Sequence, residues 1–153
     1  MRIFFILIAI LYPYYLHSKV INLHYEIDWK SVHLADIFWN ISIDRNEYEI
    51  EFLIKSYGLT DKIYKYESLT SVNGYVQGNQ FKPLNYRSKT KSSNQDVYSN
   101  INFGNDGKIT SFDISKEINK DQIQMQRQML DKYLYFTDPI SQISQYFIYQ
   151  NNS

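Results

Sequence analysis

The chain has 153 residues, which is enough for one domain but not for a second independent hydrophobic core. Its 16 basic and 16 acidic residues balance, so the sequence lacks the surplus of positive charge typical of nucleic-acid-binding proteins and predicts no nucleic-acid partner. The absence of cysteine excludes disulfides, thiolate metal sites and the acylated cysteine that anchors a lipoprotein.

Residues 1–18 have the plan of an export signal, in which a charge and an apolar run precede a small residue at the cleavage site. Arg2 supplies the charge, residues 3–11 form the run, and Ser18 is the small residue. A transmembrane anchor is the alternative, but it needs about 20 apolar residues and this run is shorter. We expect residues 1–18 to be a signal peptide and residues 19–153 to be a single β-rich domain.

Alternation of apolar and polar residues dominates the chain after this signal. Residues 23–29, 37–43 and 48–54 alternate with period two, which indicates strands with one apolar face. The polar residues 44–46 predict a hairpin turn, so these strands begin an antiparallel meander. Farther along, residues 59–64 favour a short helix and Asn73-Gly74 a turn or bulge. Glycines at both ends of residues 104–107 predict the clearest hairpin.

The C-terminal part departs from this alternation. Residues 121–133 have apolar residues near helical spacing but also alternate in places. The pattern therefore does not distinguish a helix from a strand there. Asp138 is a candidate N-cap followed by proline, and Ile140, Ile143 and Phe147 then lie on one helical face. The predicted fold is mainly β, an antiparallel strongly curved sheet or partial barrel of about six to seven strands with a C-terminal helix.

Several stretches follow one another in a characteristic order: residues 25–29, Gly58, residues 67–74, the Pro-Leu-Asn-Tyr-Arg of residues 83–87, and the Asp-Pro-Ile-Ser of residues 138–141. In this order and spacing they resemble the bacterial domain-of-unknown-function 3108 family. The resemblance implies an exported, β-rich periplasmic protein of a Gram-negative bacterium, with no agreed catalytic residues. Because the chain lacks a lipoprotein cysteine, we expect it to be soluble after signal cleavage and tethered to the inner membrane only if uncleaved.

The resemblance also bears on the end of the chain. Family members continue with further strands after the Asp-Pro-x-Ser helix, whereas this sequence stops at Ser153. The resemblance therefore implies that the chain corresponds to the N-terminal part of the family pattern, as a natural short form or as a form truncated at the C-terminus. A barrel closes only when the sheet has enough strands, so the resemblance does not decide whether this shorter chain forms a closed barrel.

One polar row on the first predicted strand has the residue types of a metal site. His24, Glu26 and Asp28 are two residues apart and share a face, as ligands on a strand would. Polar-out alternation explains the row better as a solvated surface, and His33 is expected to be exposed in the turn that follows. We therefore predict no metal ligand and no cofactor.

A second polar row is made of carboxylates. Glu47, Glu49 and Glu51 alternate along the third strand, and paired carboxylates can perform acid–base catalysis when their pKa values differ. A Glu/Lys ladder with a neighbouring strand explains them better, since nothing in the pattern buries them. No serine has the Gly-x-Ser-x-Gly context of a hydrolase nucleophile, and the sequence predicts no catalytic residue.

The apolar face of the strands is rich in large aromatic side chains, including Trp29, Trp39 and Phe52. It forms either a filled core or a core with an apolar pocket lined by these three residues. The leading hypothesis is a non-enzymatic periplasmic binding or carrier module for an apolar or lipid-like ligand. The alternative is an envelope protein that pairs with a partner protein through an open sheet edge. An enzyme ranks third.

Overall fold

The structure, a computed structural model, describes residues 18–115 and 138–149. These residues form one antiparallel sheet of seven strands and two helices. The elements are β1 (Ser18–Trp29), β2 (Val32–Asp44), β3 (Glu47–Ser56), α1 (Gly58–Ile63), β4 (Tyr66–Gln77), β5 (Gln80–Ser92), β6 (Asp96–Phe103), β7 (Ile109–Ile114) and α2 (Pro139–Tyr149). The predicted signal peptide lies outside the described residues except for Ser18, and residues 121–133 lie outside them entirely.

The mainly β architecture with a C-terminal helix is confirmed, but the strongly curved sheet or partial barrel is wrong. The sheet is neither closed nor strongly curled, and its strands follow one another in sequence order. β1 and β7 are its two edges, whereas a barrel would pair them. Alternation reveals which side chains share a face but carries no information about pairing between the first and last strands, which is what closure requires.

The predicted turns are present, and each has a local cause. The β2–β3 hairpin turns at residues 44–46, where Arg45 adopts a positive φ of 54°. The hairpin at residues 104–107 joins β6 to β7. At Asn73-Gly74 the pairing of β4 with β5 shifts register, as expected for a bulge. A Cβ at Gly74 would collide with the backbone carbonyl of Lys82, so only glycine allows this close approach.

The hydrophobic core lies between one face of the sheet and α2. The second and third alternating runs lie directly opposite each other, with Trp39 paired to Phe52 and Ile41 paired to Ile50. Side chains from four strands and the helix are buried there together: Trp39, Ile41, Tyr48, Ile50, Val72, Phe81 and Ile148. We call this side of the sheet the core face and the opposite side the outer face.

The C-terminal helix begins as predicted, and the side that it turns toward the sheet agrees with the predicted face in part. The Ser141 backbone N–H donates to Asp138 Oδ1 at 2.7 Å, so Asp138 is the N-cap and Pro139 the first helical residue. Ser141, Ser144 and Ile148 are the buried residues of α2, whereas Ile143 is 45% exposed. Ile140 and Phe147 pack against the core, as the spacing predicts, but Ile143 does not share this face. Hydroxyls of α2 bond to side chains of the sheet, and this turns the serines inward.

Neither described helix is long and apolar enough to cross a membrane. α1 spans six residues and α2 spans eleven, and α2 is positioned by its contacts with the sheet.

Candidate functional site

A β-bulge in the hairpin of β1 and β2 assembles a group of polar side chains on the outer face. Glu26 pairs with Asp36, but after Ile27 the register shifts, and Asp28 pairs with His33. Leu34 is the extra residue of β2. Without it, alternation would place His33 on the opposite face from Asp36, whereas the bulge brings both to the outer face.

The bulge allows two histidines to converge on one carboxylate. His24 Nε2 lies 3.0 Å from Asp36 Oδ1, and His33 Nε2 lies 3.3 Å from the same oxygen. The other ring nitrogen of His33, Nδ1, lies 3.0 Å from Asp28 Oδ1. We call His24, Glu26, Asp28, His33 and Asp36 the His–Asp cluster.

Neighbouring aromatic rings hold the two imidazoles in place. The His24 ring stacks on Phe38 with ring centres 4.4 Å apart, and the His33 ring meets Tyr57 edge-on at 4.5 Å. Asp36 is only 7% exposed. Its hydrogen bond with His24 lowers the pKa of Asp36 below the ordinary value; desolvation opposes this shift, and the charge of His33 adds to it. The ionised carboxylate is thus favoured between the two rings.

The cluster contains the donor atoms that a divalent cation needs. His24, Glu26 and Asp36 can each offer one ligand atom within 4.8 Å of the others, and so can Glu26, Asp28 and His33. The sequence correctly placed His24 and Glu26 on one face. Asp36 was not among the residues that the sequence pattern indicated. The prediction that His33 is exposed in a turn is wrong, since His33 lies within β2 and is half-buried.

The predicted pocket residues do not all meet. Trp39 and Phe52 contact each other edge-on with ring centres 5.2 Å apart, and Phe147 of α2 meets Trp39 at 5.7 Å. The helix thus occupies this part of the core face. Trp29 lies at the far end of β1 and is 64% exposed. An apolar pocket lined by all three residues stays a prediction.

The core face is left exposed near the β1–β2 turn. Tyr25, Ile27 and Trp29 continue the core-facing positions of β1, and Val32 pairs with Trp29 across the hairpin. All four side chains are exposed large hydrophobics, and we call them the hairpin patch. The patch borders an edge of the sheet, since β1 pairs only with β2 within the described part of the chain.

The remaining polar residues considered from the sequence have simpler surroundings. Glu47, Glu49 and Glu51 are all exposed. The predicted Glu/Lys ladder is wrong, because no lysine lies directly opposite these residues on either neighbouring strand. Two of these glutamates border a groove on the sheet that also includes Asp44 and Tyr75. Serines and threonines of β4 and β5 form hydroxyl pairs across the strands, which is an ordinary means of satisfying polar groups in a sheet.

The comparisons with known proteins identify a family to which no function is assigned. No curated protein and no solved structure matches the chain significantly. A family model described as "Protein of unknown function (DUF3108)" matches residues 24–139, from the first histidine of the His–Asp cluster to the first residue of α2. Because the match covers more than half of the chain, the chain belongs to the DUF3108 family of proteins of unknown function.

Proposed function

We propose that this protein is a non-enzymatic binding module of the Gram-negative cell envelope, and that β1 pairs with an extended apolar segment of a partner protein. The observation that carries the proposal is the combination of an unpaired strand edge with the hairpin patch beside it. The export signal expected at residues 1–18 supports a periplasmic location.

The edge of β1 supplies the hydrogen bonds for such pairing. β1 is 12 residues long, and its outer side faces no other strand among the described residues. An edge strand of this length presents a row of backbone N–H and C=O groups that another extended chain can satisfy. Proline is one of the devices that protect such edges from pairing, and β1 contains none.

The hairpin patch supplies apolar contacts for the same partner. A strand added beside β1 would place alternate side chains on the core face, next to Tyr25, Ile27 and Trp29. Burying the exposed part of a large aromatic side chain stabilises a complex by an amount on the order of 1 kcal/mol or more. Main-chain hydrogen bonds would therefore give affinity, and the patch would select a segment with alternating apolar residues.

Photocrosslinking in cells tests this proposal. A photoreactive residue replaces exposed Val20 on β1 in the full chain, and a matched control replaces exposed Ser111 on the opposite edge, β7. We expect one discrete protein adduct from position 20 and not from position 111. The adduct should disappear when Ile27→Lys places a charge beside the edge, and it should persist with Ser111→Lys.

The mass of the adduct distinguishes the alternatives. An adduct of twice the chain mass would mean that two copies pair with each other, which would overturn the proposed partner protein. The same adducts from both edges, or none from position 20, would also contradict it.

An apolar or lipid-like small ligand is the second candidate, and the exposure of Trp29 is the observation that favours it. Native mass spectrometry of protein purified from the periplasm is the test. An added mass that is lost in Trp29→Ser would support a ligand on the hairpin patch. A bare protein mass would reject this candidate while leaving strand pairing in place.

A further inference from the structure

We propose that His24, His33 and Asp36 bind a divalent transition-metal ion of the zinc class, with the carboxylate of Glu26 as the fourth ligand. The site lies on the outer face of β1 and β2, opposite the hairpin patch, so it does not depend on the proposed function. Imidazole nitrogens with carboxylate oxygens suit Zn²⁺ and its neighbours in the first transition series, whereas Mg²⁺ and Ca²⁺ prefer oxygen ligands alone.

The spacing of the ligand atoms fits such an ion. Zinc holds nitrogen and oxygen ligands at about 2.0–2.2 Å, which separates neighbouring ligand atoms of a tetrahedron by about 3.4 Å. The Nε2 atoms of His24 and His33 lie 3.0 and 3.3 Å from Asp36 Oδ1. Two edges of the tetrahedron are thus close to their final length. Glu26 is exposed and offers a carboxylate oxygen within 4.8 Å of ligand atoms of His24 and Asp36. Rotation of its flexible side chain, with movement of the His33 ring toward His24, can complete the set.

The two contacts of His33 give an independent reason for a cation at this position. Both of its ring nitrogens face a carboxylate oxygen, with Nδ1 directed at Asp28 and Nε2 at Asp36. A neutral imidazole has one N–H and one lone pair, so one contact would set a lone pair against a negative oxygen. A second proton or a metal ion relieves this repulsion.

A metal ion on Nε2 leaves the other contact of His33 intact. The Nδ1–H group can still donate to Asp28, which gives the carboxylate–histidine–metal arrangement found around protein-bound metals. In that arrangement Asp28 fixes the ring orientation and makes Nε2 a better donor to the metal. Asp28 is then a positioning residue, and the direct contacts to the ion come from His24, His33, Asp36 and Glu26.

The surroundings order the two imidazole rings without a metal. Phe38 and Tyr57 pack against the two rings, and the bulge at Leu34 fixes the side of β2 from which His33 extends. Ordering flexible side chains opposes binding, and ligands that are already ordered reduce this cost.

Metal titration of the full chain tests the site. Protein freed of metal by a chelator, and then of the chelator, is titrated with Zn²⁺ in a calorimeter and with Co²⁺ in a spectrophotometer. We expect one ion per chain, and for Co²⁺ the intense visible absorption of a tetrahedral site. His24→Gln and His33→Gln should each weaken Zn²⁺ binding by at least about tenfold, since loss of a supporting residue alone has that effect at metal sites.

Two further variants distinguish Zn²⁺ binding at this site from Zn²⁺ binding to exposed carboxylates elsewhere on the protein. Asp28→Asn should weaken Zn²⁺ binding about 10–100-fold through the orientation of His33. Glu49→Gln removes an exposed carboxylate of β3 outside the cluster and should leave the affinity unchanged.

The His24 side chain is 47% exposed, so His24→Gln should keep the fold, as circular dichroism would verify. Equal Zn²⁺ affinity in the wild type and both histidine variants would overturn the proposal, and so would the absence of saturable binding by the wild type.

Discussion

The indole Nε1 of Trp39 donates a hydrogen bond to the Oγ of Ser144 over 3.0 Å, although the two residues lie 105 positions apart in the chain. Both residues are buried between β2 and α2, where neither polar group can be satisfied by bulk water. A second hydroxyl contact, 2.9 Å between Tyr48 and Ser141, lies one helical turn away. These two contacts, together with the bond from the Phe81 backbone N–H to Gln145 Oε1 and the apolar packing of the helix, hold this side of α2 against the sheet.

Removing the hydroxyl of Ser144 should destabilise the protein, although alanine is a better helix former than serine. Ser144→Ala leaves the buried indole N–H of Trp39 without an acceptor, which costs about 1–3 kcal/mol. Ile143→Ala on the exposed side of the same helix is the matched control and should change the free energy of unfolding by less than about 1 kcal/mol. Urea denaturation measures both. A larger loss for Ile143→Ala would contradict the packing described for α2.

Much of the fold could be predicted from the sequence because strand and turn signals are local. Residues 37–43 and 48–54 alternate in register with each other, and short polar or glycine-containing breaks lie between strands. The buried side of α2 could be predicted only in part. Apolar spacing correctly places Ile140 and Phe147 against the core but also favours the exposed Ile143. The serines turn inward to meet Trp39 and Tyr48, which belong to distant strands.

The His–Asp cluster could be predicted only in part, for a similar reason. The period of a strand places His24 and Glu26 on one face, and this is visible in the sequence. The positions of His33 and Asp36 depend on the bulge at Leu34, which is a property of the pairing between two strands. A one-residue shift moves every later side chain to the other face, so the local pattern alone cannot assign His33.

Adding a single methyl group at Gly74 should disturb the bulge between β4 and β5. A Cβ there would meet the backbone of Lys82 and Pro83, which cannot move aside as a flexible side chain would. We expect Gly74→Ala to lower the free energy of unfolding by about 1–3 kcal/mol, the usual range for overpacking. The neighbouring Asn73→Ala, at an exposed position, is the control and should have little effect. Equal stability of the two variants would mean that the backbones separate easily at this bulge.

The N-cap of α2 should make stability depend on pH. Burial raises the pKa of Asp138 above its ordinary value of 3.8, and hydrogen bonds with Ser141 oppose this shift. The Oδ2 atom is buried with no hydrogen-bond partner among the protein groups, so the charged form is costly. A raised acid pKa means that the folded state holds the proton more tightly. Stability should therefore fall as pH rises from 3.8 toward the raised pKa and level off above it.

The Asp138→Asn variant tests this dependence. Asparagine keeps an N-cap oxygen but cannot ionise, so its free energy of unfolding should vary less with pH over that window than in the wild type. Asp113→Asn changes an exposed carboxylate of β7 and should follow the wild-type curve. Asp138→Ala, which removes the cap itself, should cost about 0.5–2 kcal/mol. Denaturation curves at a series of pH values would show whether the wild type and Asp138→Asn converge at low pH.

The buried hydroxyl pair of Tyr48 and Ser141 should show strong coupling in a double-mutant cycle. Tyr48→Phe and Ser141→Ala each remove one partner and leave the other buried without that bond, which costs about 1–3 kcal/mol.

Removing both partners leaves no unsatisfied hydroxyl, so the double variant should lose less stability than the sum of the single losses, by about 0.5–3 kcal/mol. The Ser141 hydroxyl also hydrogen-bonds with the Asp138 carboxylate, and part of its single loss will therefore persist in the double variant. Additive losses would mean that the hydroxyls of Tyr48 and Ser141 stabilise α2 independently of each other.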